Sequence, residues 1–229
     1  MRLPRKAVLL TAAAAAACVA VSACSTTQMG AAAITGNSRI TSTTLTNEVA
    51  NLNAAYKADK AKGISPQRPV GQEAQQVLTW LLTFRIYDKL AMQHRIYPTQ
   101  AQVNDQLYGQ AGLTATAKQN NVTLDEYISA GGAVPPDLKP QLGRYFVILS
   151  VLEHRLTGGK SPSTQAEQTK LANDVAHQQC LASKSLGVTV NPQYGQFDYS
   201  SYSVVPAPST LAANPTSSKP ASVKLTPPC

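Results

Sequence analysis

The sequence contains little that could support catalysis. Only three of its 229 residues are histidines, and charged residues make up 14% of the chain. A hydrolase or transferase needs a nucleophile, a base and an orienting group that converge on one point. The sequence has no G-x-S-x-G elbow, Walker loop, Rossmann glycine pattern or H-E-x-x-H motif. These absences argue against an enzyme, and we expect no catalytic residue and no cofactor.

The few histidines have structural explanations. His94 and His154 each precede an arginine in the last turn of a predicted helix, where positive charge interacts favourably with the carbonyl end. His177 and Cys180 lie three residues apart on one predicted helix face and could supply half of a metal site. A structural site usually needs four ligands, and the sequence has no second such pair. We therefore expect no bound metal.

The sequence also lacks the features of a nucleic-acid-binding protein. Its formal net charge is +8, but no cluster of lysine and arginine is interleaved with aromatic residues. A mild, scattered positive charge outside a membrane favours anionic lipid headgroups or acidic wall polymers. A solvated surface with scattered charge is the default interpretation, and we expect no nucleic acid as a partner.

Long apolar runs are absent after the N-terminal segment. The longest later run, "YFVILSVL" (Tyr145 to Leu152), is interrupted by Ser150 and is too short to span a membrane. At the N-terminus, a basic start is followed by the uncharged run 7–21 and by small residues, which is the layout of a secretory signal peptide. At about 1.5 Å per residue, this run falls short of a hydrocarbon core of about 30 Å.

Two cysteines lie near the end of this leader. The stretch "VSAC" (Val21 to Cys24) resembles a bacterial lipobox, whereas "AAAAC" before Cys18 is a poorer match. The resemblance implies that residues 1–23 are removed, that Cys24 receives a diacylglyceryl group, and that residues 24–30 form a short tether. Two acyl chains give stable membrane anchoring. The alternative is a plain secretory leader with an incidental cysteine.

The two remaining cysteines, Cys180 and Cys229, would then be an even pair in an oxidising compartment. A disulfide between them would close a long loop and contribute up to about 4 kcal/mol in the chain-entropy model. A free Cys229 and an intermolecular bond remain open alternatives.

The remaining pattern predicts a mainly α fold with a small β-sheet formed by the N- and C-terminal ends of one domain, residues 31–202. Two short strands flank the Gly36-Asn37 turn, and Thr99 and Thr123 open helices with capping boxes. Further helices are predicted from about 44, at 72–95, at about 111–121, after "VPPD" and at 163–185, and a strand-like segment begins near 187. Residues 203–229, rich in Pro, Ser, Thr and Ala, are expected to be a disordered tail.

This order of elements resembles the N-terminal chaperone domain of the SurA/PrsA family of extracytoplasmic folding factors. The phrases "AAAITGNSRITSTTL", "VTLDEYISAGG", "LGRYFVILSVL" and "VTVNPQYGQFD" carry the resemblance. Full-length members insert parvulin-type prolyl isomerase domains before the terminal helix, and the short "GGKSPST" here leaves no room for one. The resemblance implies a lipid-anchored, ATP-independent module on the extracytoplasmic side of the cell membrane that binds unfolded secreted or envelope proteins. The alternative is a structural or assembly lipoprotein that docks one dedicated envelope partner.

One aromatic stripe is the main candidate for client binding. Trp80, Phe84 and Tyr87 recur at helical spacing in the predicted second helix. Rigid aromatic side chains offer a large contact area at low entropic cost. The alternative interpretation is that this face packs against the predicted helix at 141–156.

The choice of lipidated cysteine gives a direct prediction. Cys24→Ala should release the protein to the medium or leave an unprocessed precursor, because the acceptor thiol is gone, whereas Cys18→Ala should change little. Membrane fractionation of the two variants in cells measures this. Equal membrane retention of both variants would show that the wrong cysteine has been chosen.

Overall fold

The computed structural model describes residues 30–207. The predicted leader, the lipidation site Cys24, the tether as far as residue 29, Cys229 and the tail from residue 208 lie outside the described residues. Within residues 30–207, no helix is long and apolar enough to cross a membrane.

The described residues form seven α-helices and five short β-strands. The strands are β1 (Ala31–Thr35), β2 (Ser38–Thr41), β3 (Thr189–Val190), β4 (Gln196–Asp198) and β5 (Ser203–Val205). The helices are α1 (Ser42–Ala61), α2 (Glu73–Gln93), α3 (Gln100–Tyr108), α4 (Leu113–Gln119), α5 (Leu124–Glu126), α6 (Lys139–Leu156) and α7 (Gln165–Leu186). A π-helical turn (Tyr127–Gly131) follows α5, and a 3₁₀ turn (Pro136–Leu138) precedes α6. The fold is mainly helical, as expected from the sequence.

A small sheet joins the two ends of the domain. Strands β1 and β2 pair antiparallel around Gly36, which has a φ of 58° that suits glycine. Strand β3 pairs antiparallel with the other edge of β1, so the strand order is β2-β1-β3. The Gly36 backbone N–H also donates to the carbonyl of Leu186, at the end of α7. The predicted sheet between the N- and C-terminal ends is therefore confirmed.

Threonine side chains set the starts of several helices. Thr99 and Thr123 form the two capping boxes expected from the sequence, and the backbone N–H of each threonine donates in return to the side chain three residues on. Thr164 opens α7 in the same way with Glu167, a box that the sequence analysis did not single out. Each cap satisfies backbone N–H groups that have no partner inside the helix and contributes about 1 kcal/mol.

The C-terminal boundary of the domain needs correction. Strands β4 and β5 pair as an antiparallel hairpin, so the fold extends past residue 202. Val204 is buried, and its backbone N–H donates to Thr79 Oγ1 on α2 over 2.9 Å. The physical reason is the apolar pair Val204-Val205, because burying apolar side chains stabilises the fold. The residues after this pair do have the composition of a tail.

Helix α2 lies at the centre of the domain. Its Leu78 and Leu82 belong to a cluster with α1 and the sheets, and its Phe84 belongs to a cluster with α3, the π-helical turn and α6. Its Ile86 and Leu90 belong to a third cluster with α6 and α7. The expectation that a helix apolar on most sides is central and buried is confirmed.

Helices α3 and α6 approach closely at Gly143. A Cβ atom placed there would lie 2.9 Å from Leu107 Cγ and 3.0 Å from Val103 Cγ1. Such distances are shorter than normal packing allows, so the small residue is what permits this helix pair to close.

Gly143→Ala should therefore lower the free energy of unfolding. Overpacking costs about 1–3 kcal/mol and the helix gains about 0.5–1 kcal/mol from alanine, so we expect a net loss centred on about 1 kcal/mol. Urea unfolding measures it. Gly131→Ala is the matched control, because a Cβ there meets nothing within 4 Å. Equal stability of the two variants would contradict this account of the α3–α6 contact.

Candidate functional site

A cleft of about 470 Å³ opens on one side of the domain. Helices α2, α4 and α6 each contribute to its walls. The remaining walls come from α5 with the π-helical turn and from the segments that follow α1 and α4. The lining is mainly apolar and includes Trp80, Leu113, Val122, Tyr127, Ile128 and Phe146. We call this the aromatic cleft, because Trp80, Tyr127 and Phe146 are all half-buried within it.

The wall next to α5 has an unusual backbone. The π-helical turn at Tyr127–Gly131 is followed by Ala133, which has a φ of 55° in the left-handed region and is buried. A non-glycine residue with left-handed backbone angles carries strain. π-helical turns are also frequent at functional sites. Backbone bonds from Ala133 N to Ser129 O (2.9 Å) and from Val134 N to Ile128 O (3.0 Å) hold the turn.

Trp80 connects α2 to this wall. Its indole Nε1–H donates to the carbonyl of Gly132 over 2.8 Å. The ring also packs against Phe84 at 5.7 Å between centroids and edge-on against Tyr145 at 6.0 Å. The indole is thereby fixed in orientation while part of its surface stays open to the cleft.

The other two residues of the predicted aromatic stripe do not line the cleft. Phe84 is 8% exposed and Tyr87 is 3% exposed, and the Tyr87 ring packs edge-on against Tyr145 of α6 at 4.5 Å. Burial raises the pKa of the Tyr87 phenol. Both border a depression of only about 30 Å³. Phe84 and Tyr87 thus pack against α6, as the alternative interpretation held. Of the three predicted client-binding residues, Trp80 lines the aromatic cleft, and client binding stays a prediction.

Two polar contacts fasten α5 and the π-helical turn that follows it to the C-terminal end of α1. Lys62 Nζ lies 2.5 Å from Glu126 Oε1, and Ser129 Oγ donates to Asp59 Oδ2 over 2.7 Å in a buried environment. The second Glu126 oxygen accepts the backbone N–H of Thr123 over 2.7 Å. The bond from Lys62 and the bonds from Thr123 lower the pKa of Glu126 to about 2. Glu126 therefore stays ionised and paired at neutral pH.

The histidines that precede arginines lie at helix ends, as expected. His154 is in the last turn of α6, and His94 directly follows α2. The Arg155 guanidinium donates to the His94 backbone carbonyl, and His94 Nε2 lies 3.1 Å from Gln178 Oε1 of α7. The carbonyl end of α2 is thus capped by an arginine from α6.

The pair His177 and Cys180 lies on α7. Residues 30–207 contain no group of three or more His, Cys, Asp or Glu side chains placed to hold a metal ion. Cys180 is fully buried and disulfide-bonded. Its partner lies outside the described residues, so the pairing with Cys229 stays a prediction.

Sequence reasoning did not single out Tyr127, Phe146 or Val122. The only local signal was the Thr123 capping box, which places the start of α5 but not the turn after it. The cleft brings together residues as far apart in the chain as Ile64 and Phe146. No short motif marks such a surface.

No family model, curated protein or solved structure matches this chain. The resemblance to the SurA/PrsA N-terminal domain accordingly stays a prediction.

The depressed pKa of Glu126 predicts a pH dependence of stability. A carboxyl whose folded pKa lies below its unfolded value of about 4.3 stabilises the fold above that value and loses this contribution as pH falls towards 2. Urea unfolding between pH 5 and 2 should show this loss in the unaltered protein and less of it in Glu126→Gln. Lys62→Met should remove part of it, because the Thr123 bonds remain. An unchanged acid profile in Glu126→Gln would contradict the assignment.

Proposed function

We propose that this protein is a lipid-anchored, extracytoplasmic, ATP-independent chaperone-like module that holds apolar segments of unfolded secreted or envelope proteins. The observation that carries the proposal is the aromatic cleft, in which Trp80, Tyr127 and Phe146 keep part of their surfaces exposed. Apolar area removed from water contributes about 25 cal/mol per Å², so an exposed apolar segment of a client gains by entering.

The size of the cleft supports this function. About 470 Å³ lies within the range of ordinary ligand sites and accommodates a few side chains of an extended segment, but not a folded domain. Exposed Ser65 and Gln67 border the same cleft and offer hydrogen-bonding groups to a client backbone. The Gln67 backbone N–H donates to the Ala130 carbonyl over 2.8 Å, which ties this segment to the π-helical turn.

The charge of the cleft supports a preference for uncharged segments. Glu126 is the one acidic or basic side chain among its lining residues within the described part of the chain, and Lys62 neutralises it. A charged client side chain entering the apolar walls would lose hydration without gaining a partner. Such holding is an equilibrium binding process, so it requires no nucleotide.

The N-terminal sequence supports the proposed location. The lipobox-like "VSAC" supports a diacylglyceryl anchor on Cys24, and the short segment 24–30 would keep the folded domain close to the membrane. Unfolded chains that have just been exported are the apolar clients available at that surface.

The proposal is tested with the purified chain from Ser25 onward, which contains every described residue. At near-stoichiometric amounts it should delay aggregation of a denatured client protein. Trp80 is the single tryptophan of the sequence, so its fluorescence reports on the cleft without labelling. Titration with an uncharged, leucine- and phenylalanine-rich peptide should change the Trp80 emission in a saturable way.

A matched pair of variants locates the effect. Val122→Asp places a charge on the cleft wall and should weaken peptide binding at least about tenfold, which corresponds to 1.4 kcal/mol. Val70→Asp makes the same change at a side chain that is 75% exposed and outside the cleft lining, and should bind as before. Circular dichroism checks that both variants are folded. Equal binding by the two variants, or a folded protein with no effect on aggregation, would contradict the proposal.

A further inference from the structure

The outer surface of α2 near its C-terminal end carries positive charge and exposed apolar side chains. Arg85, Lys89 and Met92 follow one another at spacings of four and three residues, so they lie on one face of the helix. Arg85 is exposed, Lys89 is half-buried and Met92 is 68% exposed. Arg95 and Tyr97 come directly after the helix, and Tyr97 is 78% exposed. We call these five residues the basic face.

The positive charge of the basic face is not neutralised within the domain. None of its three cations forms an ion pair with a carboxylate of residues 30–207. Asp88, the one acidic residue in this half of α2, is instead paired with Arg144 of α6 over 2.8 Å. The Arg155 guanidinium, which donates to the carbonyl of His94, adds a further positive charge beside the end of α2. The fold therefore gathers charges that are scattered in the sequence.

The backbone at Arg95 adopts a conformation that favours glycine. Its φ is 51°, in the left-handed region. The Ile96 N–H donates to the Ala91 carbonyl over 2.8 Å and the Arg95 N–H donates to the Met92 carbonyl over 3.3 Å, which is the Schellman pattern that ends a helix. Glycine is the usual residue at this position because an L side chain is strained there. Arginine instead places a charge on the basic face at a cost in backbone strain.

The basic face and the aromatic cleft lie on opposite sides of α2. Lys89 follows Trp80 by nine residues, which at about 100° per residue places the two side chains about 180° apart around the helix axis. The Trp80 indole lines the cleft and donates to the Gly132 carbonyl of its far wall. A flat partner that covers the basic face therefore leaves the cleft uncovered.

We propose that the basic face docks on the surface of a bilayer that contains anionic lipids, and that this contact turns the aromatic cleft away from the membrane. Each lysine or arginine near an anionic bilayer surface strengthens binding about fivefold. Tyrosine suits the interface because its ring is apolar and its hydroxyl is polar. Exposed Met92 and Tyr97 favour a bilayer over a soluble anionic polymer, because a polymer has no apolar layer to receive them. The proposal rests on the proposed function for the location of the domain at a membrane.

Vesicle binding tests the docking without the lipid anchor. The purified chain from Ser25 onward is sedimented with vesicles of equal amounts of phosphatidylglycerol and phosphatidylcholine, and with vesicles of phosphatidylcholine alone. We expect binding to the mixed vesicles that weakens as salt is raised, and much weaker binding to phosphatidylcholine. Lys89→Gln and Arg95→Gly should each lower the partition coefficient on mixed vesicles about fivefold. Equal binding to the two kinds of vesicle would overturn the proposal.

Matched controls separate the basic face from net charge and from folding. Lys57→Gln and Lys118→Gln remove the same charge from exposed lysines on α1 and α4 and should leave the partition coefficient nearly unchanged, because salt screens distant charges. Arg95→Gly should raise the urea midpoint, because glycine relieves the left-handed strain. Weaker vesicle binding by this variant then cannot result from unfolding. Equal losses in the control variants and the basic-face variants would refute docking through this face.

Fluorescence tests the orientation of the bound domain. Tyr97→Trp adds an indole to the basic face, and its emission should be quenched on mixed vesicles with brominated acyl chains. The unaltered protein, whose single tryptophan is Trp80, should keep its emission on the same vesicles. Quenching of Trp80 there would overturn the orientation. Binding to polyglycerol phosphate as tight as binding to the vesicles, with no quenching at position 97, would identify a soluble acidic polymer as the partner and refute the bilayer.

Peptide binding distinguishes failure of this inference from failure of the proposed function. Lys89 and Arg95 lie outside the cleft lining, so Lys89→Gln and Arg95→Gly should bind the uncharged peptide as the unaltered protein does. A protein that binds the peptide but not the mixed vesicles would refute membrane docking alone. A protein that binds the mixed vesicles but not the peptide would refute the client-holding function and leave the docking in place.

Discussion

The burial of α2 is the constraint on which the rest of the structure depends. A helix with apolar side chains on most of its surface must be enclosed, and α2 contributes Leu78, Phe84 and Leu90 to three different hydrophobic clusters. Helices α1, α6 and α7 and the hairpin that contains β5 each cover part of it. Helix α2 is not fully enclosed at Trp80, which is half-buried. Its exposed part faces the aromatic cleft, whose other walls include α4, α5 and the π-helical turn.

Several interactions keep the walls of the aromatic cleft apart. The wall opposite α2 is held by the Lys62–Glu126 ion pair, by the Ser129–Asp59 hydrogen bond and by the Trp80 indole on the Gly132 carbonyl. The buried, strained Ala133 shows that this wall adopts a conformation that local preferences alone would not select. Preorganisation of this kind lowers the cost of ordering the apolar surface if it is covered by a ligand.

The features that could be predicted from the sequence are those with local causes. Gly36 turns the first hairpin, Thr99 and Thr123 cap their helices, and the apolar pattern of α2 places it centrally. Strand β5 was missed because a buried Val204 depends on a partner more than a hundred residues away, Thr79. The cleft and the burial of Phe84 and Tyr87 depend on how helices distant in sequence pack together. Helical periodicity shows that a face is apolar, but it does not show which element covers that face.

The central claim is that the aromatic cleft holds many different unfolded clients at the membrane surface. Site-specific photo-cross-linking in cells tests it most directly, with the photoreactive residue at position 127 inside the cleft and, in a parallel strain, at exposed position 70. The account predicts a broad smear of cross-linked exported proteins from position 127 and little from position 70. A single dominant product from position 127 would instead indicate docking to one dedicated partner, and no cross-linked protein at all would contradict the cleft as a binding site.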